Sequence, residues 1–232
     1  GLKPTGARYL TNVPMPAPLY RNSSLDYPGY NMNIPDQFRA NQFINEMDRE
    51  YIRAGKPFPR LIFIHLPNDH MTRPRPEDGY PFTASYVADN DHALGHIVQF
   101  LSQTPYWKRM AILITEDDAQ GGVDHIDSHR TVFLAASPWA KKNYCSHANA
   151  SFPALLKLAF RILRIPPLNL YDAAAADLGH IFDDVADPTP YNLEPSTLEV
   201  FDPTKAREPL DPQPQPRMDD PRVLREQHRT QQ

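Results

Sequence analysis

Short apolar runs alternate with longer amphipathic stretches along the middle of the chain. The runs cover residues 60–66 (RLIFIHL), 109–115 (RMAILIT) and 131–136 (TVFLAA). Apolar runs of this length, bounded by proline or polar turn residues, are typical of strands that are buried on both faces. The pattern therefore predicts three buried strands.

The amphipathic stretches carry their apolar residues at helical spacing. Between residues 83 and 103, for example, Leu94, Ile97 and Leu101 recur every three or four positions. The order of helices and strands along the chain predicts an α/β fold, with a mostly parallel sheet and helices on its faces. Helices are predicted over residues 35–54, 83–103, 150–164 and 171–182.

Proline distinguishes the two ends of the chain from its middle. The 232 residues include 26 prolines, about twice the usual proportion. Nine of these prolines fall within residues 188–232, where few large apolar side chains offset the entropy cost of ordering. We therefore expect three parts: an extended irregular segment over residues 1–34, an α/β core over 35–187, and a proline-rich wrapping segment with a disordered tail over 188–232.

The overall charge and the single cysteine exclude several classes of protein. The net charge is −4, whereas a nucleic-acid-binding surface needs a basic excess, so no nucleic-acid scaffold is expected as a partner. No apolar run reaches the roughly 18–20 residues that a membrane-spanning helix needs. Because Cys145 is the only cysteine, neither a disulfide nor a thiolate metal cluster can form within one chain.

Polar clusters follow the predicted strands at the points where those strands end. Asn68, Asp69 and His70 come directly after the first run, and residues 116–118 (EDD) come directly after the second. Ligands bind outside the carboxyl ends of the strands in open α/β sheets. We therefore expect both clusters to meet at one edge of the sheet, together with residues 124–129 (DHIDSH).

The clustered side chains are carboxylates and imidazoles. Residues 116–129 carry five carboxylates and two histidines, and so much negative charge is costly unless a cation neutralises it. Without thiolates, such a set suits Zn, Mn or Fe, or else Mg or Ca. Two clusters could hold two ions about 3.5–4 Å apart, the arrangement that clamps a phosphoryl group during displacement.

Each of these residues also has a plainer interpretation. Asp69 suits a turn, and residues 116–118 suit a solvated loop. Residues 89–91 (DND) lie near the start of a predicted helix, where acidic side chains complement the helix dipole or orient a ligand histidine. His92 and His96 share one face of that helix, either as a metal-binding pair or as surface histidines.

Four segments together resemble a known family. LPNDH (66–70), VADNDHALGHIV (87–98), ITEDDAQGGVDHIDSHRT (114–131) and PPLNLYDAAA (166–175) occur in this order. Over about residues 35–200 the chain resembles the bacterial phosphoesterase family that includes phospholipases C and acid phosphatases, within the alkaline phosphatase superfamily. The segment at 114–131 is the most specific of the four.

The resemblance implies both a fold and a reaction. The implied fold is a three-layer α/β/α sandwich with a mostly parallel sheet, here without its N-terminal part. The implied reaction is metal-dependent hydrolysis of a phosphoester, in which a metal-bound serine or threonine attacks phosphorus and the phospho-enzyme is then hydrolysed. Two divalent ions are implied, with Zn, Mn, Fe or Ca as candidates. The implied metal ligands are Asp69, His70, Asp117, Asp118 and either His125 or His129, and the residues that support them are Glu116, Asp124 and Asp91.

The resemblance covers only the C-terminal half of the family. We therefore expect the nucleophile to lie outside this chain, in an N-terminal part of the same gene product, and the partner to be a phosphoester substrate. Relatives are often exported, which implies a periplasmic, secreted or cell-surface protein. Two alternatives stay open: an inactive binding or cell-surface module that retains the fold, and a sulfatase or phosphonate-cleaving relative on the same scaffold.

Overall fold

The computed structural model describes residues 16–24, 26–117, 130–194 and 200. The chain forms two compact units that interleave in sequence. The described residues of unit one fall within Gly1–Phe58, Ile62–Phe100 and Asn192–Gln232, and those of unit two fall within Pro59–Leu61 and Leu101–Tyr191. The boundaries predicted at residues 34 and 187 stay predictions.

Three α-helices begin in the described part of unit one. They are α1 (Ala17–Arg21), α2 (Asp36–Met47) and α3 (Ala84–Ser102). A π-helical turn, Asp48–Arg53, continues α2, and Gly55 follows with a φ of +67°, which glycine adopts without strain. The helices predicted over residues 35–54 and 83–103 are therefore confirmed.

Both long helices of unit one bury an apolar face. Phe38, Phe43 and Met47 are buried on α2, and Ala93 and Ile97 are buried on α3. These positions follow helical spacing, so burial of one face of each helix contributes to stability as the amphipathic pattern predicted.

The strand predicted over residues 60–66 is wrong. Residues 61–66 have no regular secondary structure and pair with no strand among the described residues. Phe63 has an exposed fraction of 90% and Leu61 one of 64%, which contradicts burial on both faces. An apolar run indicates only that its side chains favour burial. A strand also needs backbone hydrogen bonds from a neighbouring segment, which the run itself cannot supply.

Unit two contains the sheet of the described chain. Strand β1 (Ile112–Thr115) pairs with β2 (Phe133–Ala136), and the pair is antiparallel, with Ile112 opposite Ala136 and Thr115 opposite Phe133. The strands predicted over residues 109–115 and 131–136 are thus confirmed in position.

Two α-helices follow the sheet in unit two. Helix α4 (Phe152–Leu163) confirms the helix predicted over residues 150–164. The helix predicted over 171–182 is shorter than expected, because α5 (Leu170–Ala174) ends where Ala175 takes an extended conformation. No helix in the part of the chain that the structure describes is both long enough and apolar enough to cross a membrane.

The core of unit two lies between α4, the segment 175–182 that follows α5, and one face of the sheet. Leu113, Phe133 and Ala135 pack against it, whereas Leu134, which faces the other way, has an exposed fraction of 56%. The sheet is therefore covered on one face, as antiparallel sheets often are. The fully buried residues of this core are Ala154, Leu158, Leu178 and Ile181.

The predicted three-layer α/β/α sandwich is contradicted. Across the described ranges the sheet has two strands, and they are antiparallel, so it is not a mostly parallel sheet between two helical layers. The sequence between the strands did not decide their direction. Residues 116–132 are long enough for a parallel crossover, which needs a dozen or more residues, and a hairpin connection tolerates the same length.

Candidate functional site

A fully buried polar network lies in unit one. Asp36, Arg39, Asn68 and Asp89 each have an exposed fraction of 0%. Burying charged and amide groups costs free energy unless hydrogen bonds replace those made with water. The network therefore marks a place where the chain maintains a costly arrangement, and it includes Asn68, the residue that precedes the predicted ligands Asp69 and His70.

Asp89 of α3 serves as the N-terminal cap of α2. Its Oδ2 accepts a hydrogen bond from the backbone N–H of Asp36 at 2.7 Å, and its Oδ1 accepts one from the N–H of Gln37 at 3.2 Å. The first N–H groups of a helix have no acceptor within the helix, and Pro35 at the cap position has no side chain that could accept their hydrogen bonds. A carboxylate there also complements the positive end of the helix dipole.

Asn68 attaches the loop of Asp69 and His70 to this network. Its backbone N–H donates to Asp36 Oδ2 at 2.8 Å, and its side-chain Nδ2 donates to Asp89 Oδ2 at 2.6 Å. Asn90 holds the residues just before, because its Nδ2 donates both to Asp36 Oδ2 at 3.0 Å and to the carbonyl of Leu66 at 2.8 Å. The two asparagines therefore fix residues 66–68 to both helices.

Arg39 supplies the positive charge within the network. Its Nη1 lies 3.2 Å from Asp36 Oδ1 in a fully buried ion pair. The same guanidinium donates to the carbonyls of Ile34 and Gly29, each at 2.6 Å, and to that of Asn31 at 3.1 Å. One side chain thus pairs with a buried carboxylate and also orders the chain that leads into α2.

Burial opposes ionisation of both carboxyl groups. It raises the pKa of Asp36 to about 7, with the Arg39 guanidinium lowering it and the charge of Asp89 adding to the rise. Burial also raises the pKa of Asp89, and the hydrogen bonds donated to it oppose that rise. Tyr80 is one of these donors, since its hydroxyl lies 3.0 Å from Asp89 Oδ2. The surrounding donors therefore offset part of the lost solvation, and burial remains the larger effect on both carboxyl groups.

Asp69 and His70 project from a single turn of 3-10 helix, Pro67–His70. Asp69 is half-buried and His70 is exposed. The ring of His70 meets that of Tyr30 edge to face, with 5.8 Å between the ring centroids. Both side chains therefore reach the surface from a turn that the buried network holds through hydrogen bonds to Asn68.

The residue that follows this turn has a strained backbone. Met71 adopts φ 60° and ψ 155°, a region that is essentially restricted to glycine and costs other residues about 1–3 kcal/mol. Its N–H donates to the carbonyl of Asn68 at 3.0 Å, and its side chain packs against the buried pair Tyr80 and Tyr86. Strain of this kind persists only where surrounding contacts impose it.

In unit two the described candidates stand at the end of β1, as the sequence predicted. Glu116 is half-buried, and its Oε2 accepts a hydrogen bond from the hydroxyl of Thr131 at 3.1 Å. Asp117 is exposed. Thr115 donates from Oγ1 to the carbonyl of Val132 at 2.9 Å, so both ends of the 116–131 segment are joined. The predicted residues Asp118, Asp124, His125 and His129 lie outside the described residues.

The structure brings Asp69 and His70 together in unit one, and Glu116 and Asp117 in unit two. Asp91 is exposed on α3, and its support of a ligand stays a prediction. In the ranges that the structure covers, no group of three or more His, Cys, Asp or Glu side chains is arranged to hold a metal ion. Zinc sites in proteins use three or four protein ligands, so Asp69, His70 and Asp117 alone do not complete the predicted two-ion site.

Sequence reasoning missed the residues at the centre of the network. Asp89 was interpreted as part of an acidic stretch, yet it shares a helix face with the buried residues Tyr86, Ala93 and Ile97. That placement on an apolar face was a usable signal of a buried carboxylate in need of donors. Asp36 and Arg39, by contrast, stand three apart near a helix start, which is equally compatible with a surface ion pair.

Comparison of the chain with protein-family models, with curated proteins and with solved structures finds no match. The resemblance to the phosphoesterase family therefore rests on the four sequence segments alone.

Proposed function

We propose that this chain is the metal-binding part of a phosphoester hydrolase, and that it supplies most of the metal ligands but not the nucleophile. One structural observation carries the proposal. The Asp69–His70 turn is anchored by a buried network and is followed directly by the strained residue Met71. Strained, well-supported turns cluster at functional sites.

Anchoring of the turn suits a role in catalysis or in metal binding. Groups that bind a developing charge are effective when they are held in place beforehand, because no free energy is then needed to orient them during reaction. Asn68 is fully buried and connects the turn to α2 and α3 through two hydrogen bonds. It is a positioning residue in this proposal, whereas Asp69 and His70 are the donors.

The donor chemistry fits divalent metals. Asp69 offers carboxylate oxygen and His70 offers imidazole nitrogen, and Asp117 adds a second carboxylate. This combination suits Zn, Mn or Fe, and carboxylates alone suit Ca. A bound ion would neutralise the carboxylates and polarise the oxygens of a phosphoryl group. Asp118 and either His125 or His129 are proposed to complete the ligand set, with two ions in all.

A metal-content experiment tests the ligand assignment. The untagged chain is dialysed against Zn²⁺, Mn²⁺ or Ca²⁺, exchanged into metal-free buffer and analysed for elements, before and after chelation. We expect bound metal in the wild type and a lower metal content in Asp69→Ala and Asp117→Ala, but not in the control Asp184→Ala, an exposed carboxylate. Equal metal content in all four proteins would contradict the assignment.

Hydrolysis assays test the position of the nucleophile. We expect the 232-residue chain to hydrolyse p-nitrophenyl phosphate slowly or not at all, with or without metal. Substantial turnover that Asp117→Ala abolishes would show that the nucleophile lies within the chain. A panel of phosphomonoesters, phosphodiesters and sulfate esters separates a phosphatase from a sulfatase relative. Export to the periplasm or the cell surface is part of the same proposal.

One observation favours the alternative of a binding or structural module. The neighbouring residues Leu170 and Tyr171 of α5 have exposed fractions above 80%, and exposed apolar surface often marks sites that bind other proteins. If the natural gene product that contains this chain turns over no ester of the panel yet retains metal, the module is favoured over the enzyme.

A further inference from the structure

Two histidines on α3 are placed as a chelating pair. His92 and His96 are four residues apart, so they lie on the same face of the helix, one turn from each other. Their Nε2 atoms are hydrogen-bonded to each other at 3.0 Å, and the rings meet edge to face with centroids 4.5 Å apart. Both side chains are half-buried, which restricts the rotamers that they can adopt.

From this geometry we propose that His92 and His96 together bind one divalent transition-metal ion through their Nε2 atoms. The site is separate from the ligands assigned to phosphoester hydrolysis, and it does not depend on that assignment. The ion would bridge one turn of α3 and so stabilise the helix that carries Asp89.

The distance between the two nitrogens selects the class of metal. With metal–nitrogen bonds of about 2.0–2.1 Å, nitrogens 3.0 Å apart subtend an angle of about 90–100° at the ion. This angle suits adjacent positions of a square-planar or octahedral ion such as Cu²⁺ or Ni²⁺. Zn²⁺ needs the rings to separate by a few tenths of an ångström to approach a tetrahedral angle. Imidazole does not suit Mg²⁺ or Ca²⁺, which bind oxygen ligands.

The local environment also favours metal binding. Burial lowers the pKa of both imidazoles, which favours the neutral form that binds metals. Asp91, the neighbour of His92, is exposed and adds negative charge close to the pair. Two ligands from one rigid helix act as a chelate, because binding to the first holds the ion near the second.

Calorimetric titration of the untagged full chain with CuSO₄ and ZnCl₂ tests this site. Asp69→Ala/His70→Ala/Asp117→Ala is used as the background, so that three of the donors assigned to hydrolysis are absent and the two proposals can fail separately. In that background we expect one Cu²⁺ per chain. We also expect a loss of affinity of about tenfold or more on His92→Gln or His96→Gln, and no change on the exposed control His147→Gln.

Electron paramagnetic resonance of the wild-type Cu²⁺ complex identifies the coordinating nitrogens directly. Hyperfine coupling to two imidazole nitrogens at one equivalent of Cu²⁺, lost on His96→Gln, supports the pair. Coupling to a single nitrogen, or titration curves that are the same in His92→Gln, His96→Gln and their background, would overturn the proposal.

Discussion

The two units are stabilised by different kinds of interior. Unit one buries a polar network centred on Asp89. This one carboxylate accepts four hydrogen bonds, from two backbone N–H groups, the side-chain amide of Asn68 and the hydroxyl of Tyr80. The core of unit two is apolar and is formed by Ala154, Leu158, Leu178 and Ile181. Hydrogen bonds require a given partner atom at a given distance and angle, whereas apolar cores accept exchanges that keep their volume.

This contrast bears on where function is located. In unit one the specific bonds of the network end at the Asp69–His70 turn, so its position depends on particular residues. In unit two the apolar core packs against the sheet, and the side chain of Glu116 at the end of β1 accepts a hydrogen bond from the hydroxyl of Thr131. A polar interior positions a site more closely but tolerates fewer substitutions.

The largest effect is expected from Asp36→Ala in unit one. The substitution leaves Arg39 charged, fully buried and without its carboxylate, which should reduce the free energy of unfolding by about 3–5 kcal/mol. Urea denaturation followed by circular dichroism measures the loss. The control is Asp48→Ala, which removes a pair with the exposed Arg53 and should cost less than about 1 kcal/mol. Equal losses for both variants would show that the network is not stabilising.

Substitutions of Leu158 in unit two sharpen the contrast between the two interiors. Leu158→Ala should reduce the free energy of unfolding by about 2–5 kcal/mol, because it leaves a cavity against Leu178 and Ile181. Leu158→Met conserves volume and should cost less than about 1.5 kcal/mol. The matched conservative change in unit one, Asp89→Asn, should cost more than Leu158→Met does, since it replaces an acceptor by a donor that faces other donors. The same denaturation experiment ranks the three variants, and the reverse order would remove the distinction between the two interiors.

The smallest effect concerns the strained residue of unit one. Met71→Ala and Met71→Gly both remove the side chain, but only glycine relaxes the backbone at φ 60°. We expect Met71→Gly to be more stable than Met71→Ala by about 1–3 kcal/mol, whereas glycine is ordinarily less stable than alanine. Denaturation midpoints of the two variants, measured side by side, give this difference. A less stable glycine variant would mean that the strain at Met71 is not significant.

How far the sequence predicted the structure depends on how local each interaction is. The ends of α3 and α4 were predicted within one to three residues, and so was the end of α2 when the π-helical turn that extends it is included. This was possible because the apolar spacing that defines a helix is contained in the segment itself. The positions of β1 and β2 were predicted for the same reason. Asp69, His70 and Asp117 were all expected just after strands, but of the three only Asp117 follows one, β1.

What could not be predicted was pairing. The run at 60–66 has the composition of a strand but no hydrogen-bonded neighbour in the described chain, and β1 pairs with β2 antiparallel where a parallel sheet was expected. The network was missed for a related reason. Asp36 and Asp89 are 53 positions apart, and a carboxylate in a sequence does not show which distant N–H groups it will accept.

The amino-acid sequence by itself determined the local elements of this protein, since propensity and apolar periodicity act over a few residues. It also determined the chemical character of the candidate donors, carboxylate and imidazole without thiolate. Only the tertiary structure decided that Asp89 caps α2, that Asn68 anchors the Asp69–His70 turn, and that Nε2 of His92 lies 3.0 Å from that of His96. The first two depend on segments far apart in the chain meeting at hydrogen-bond distance, and the third on the rotamers that packing imposes on neighbouring turns.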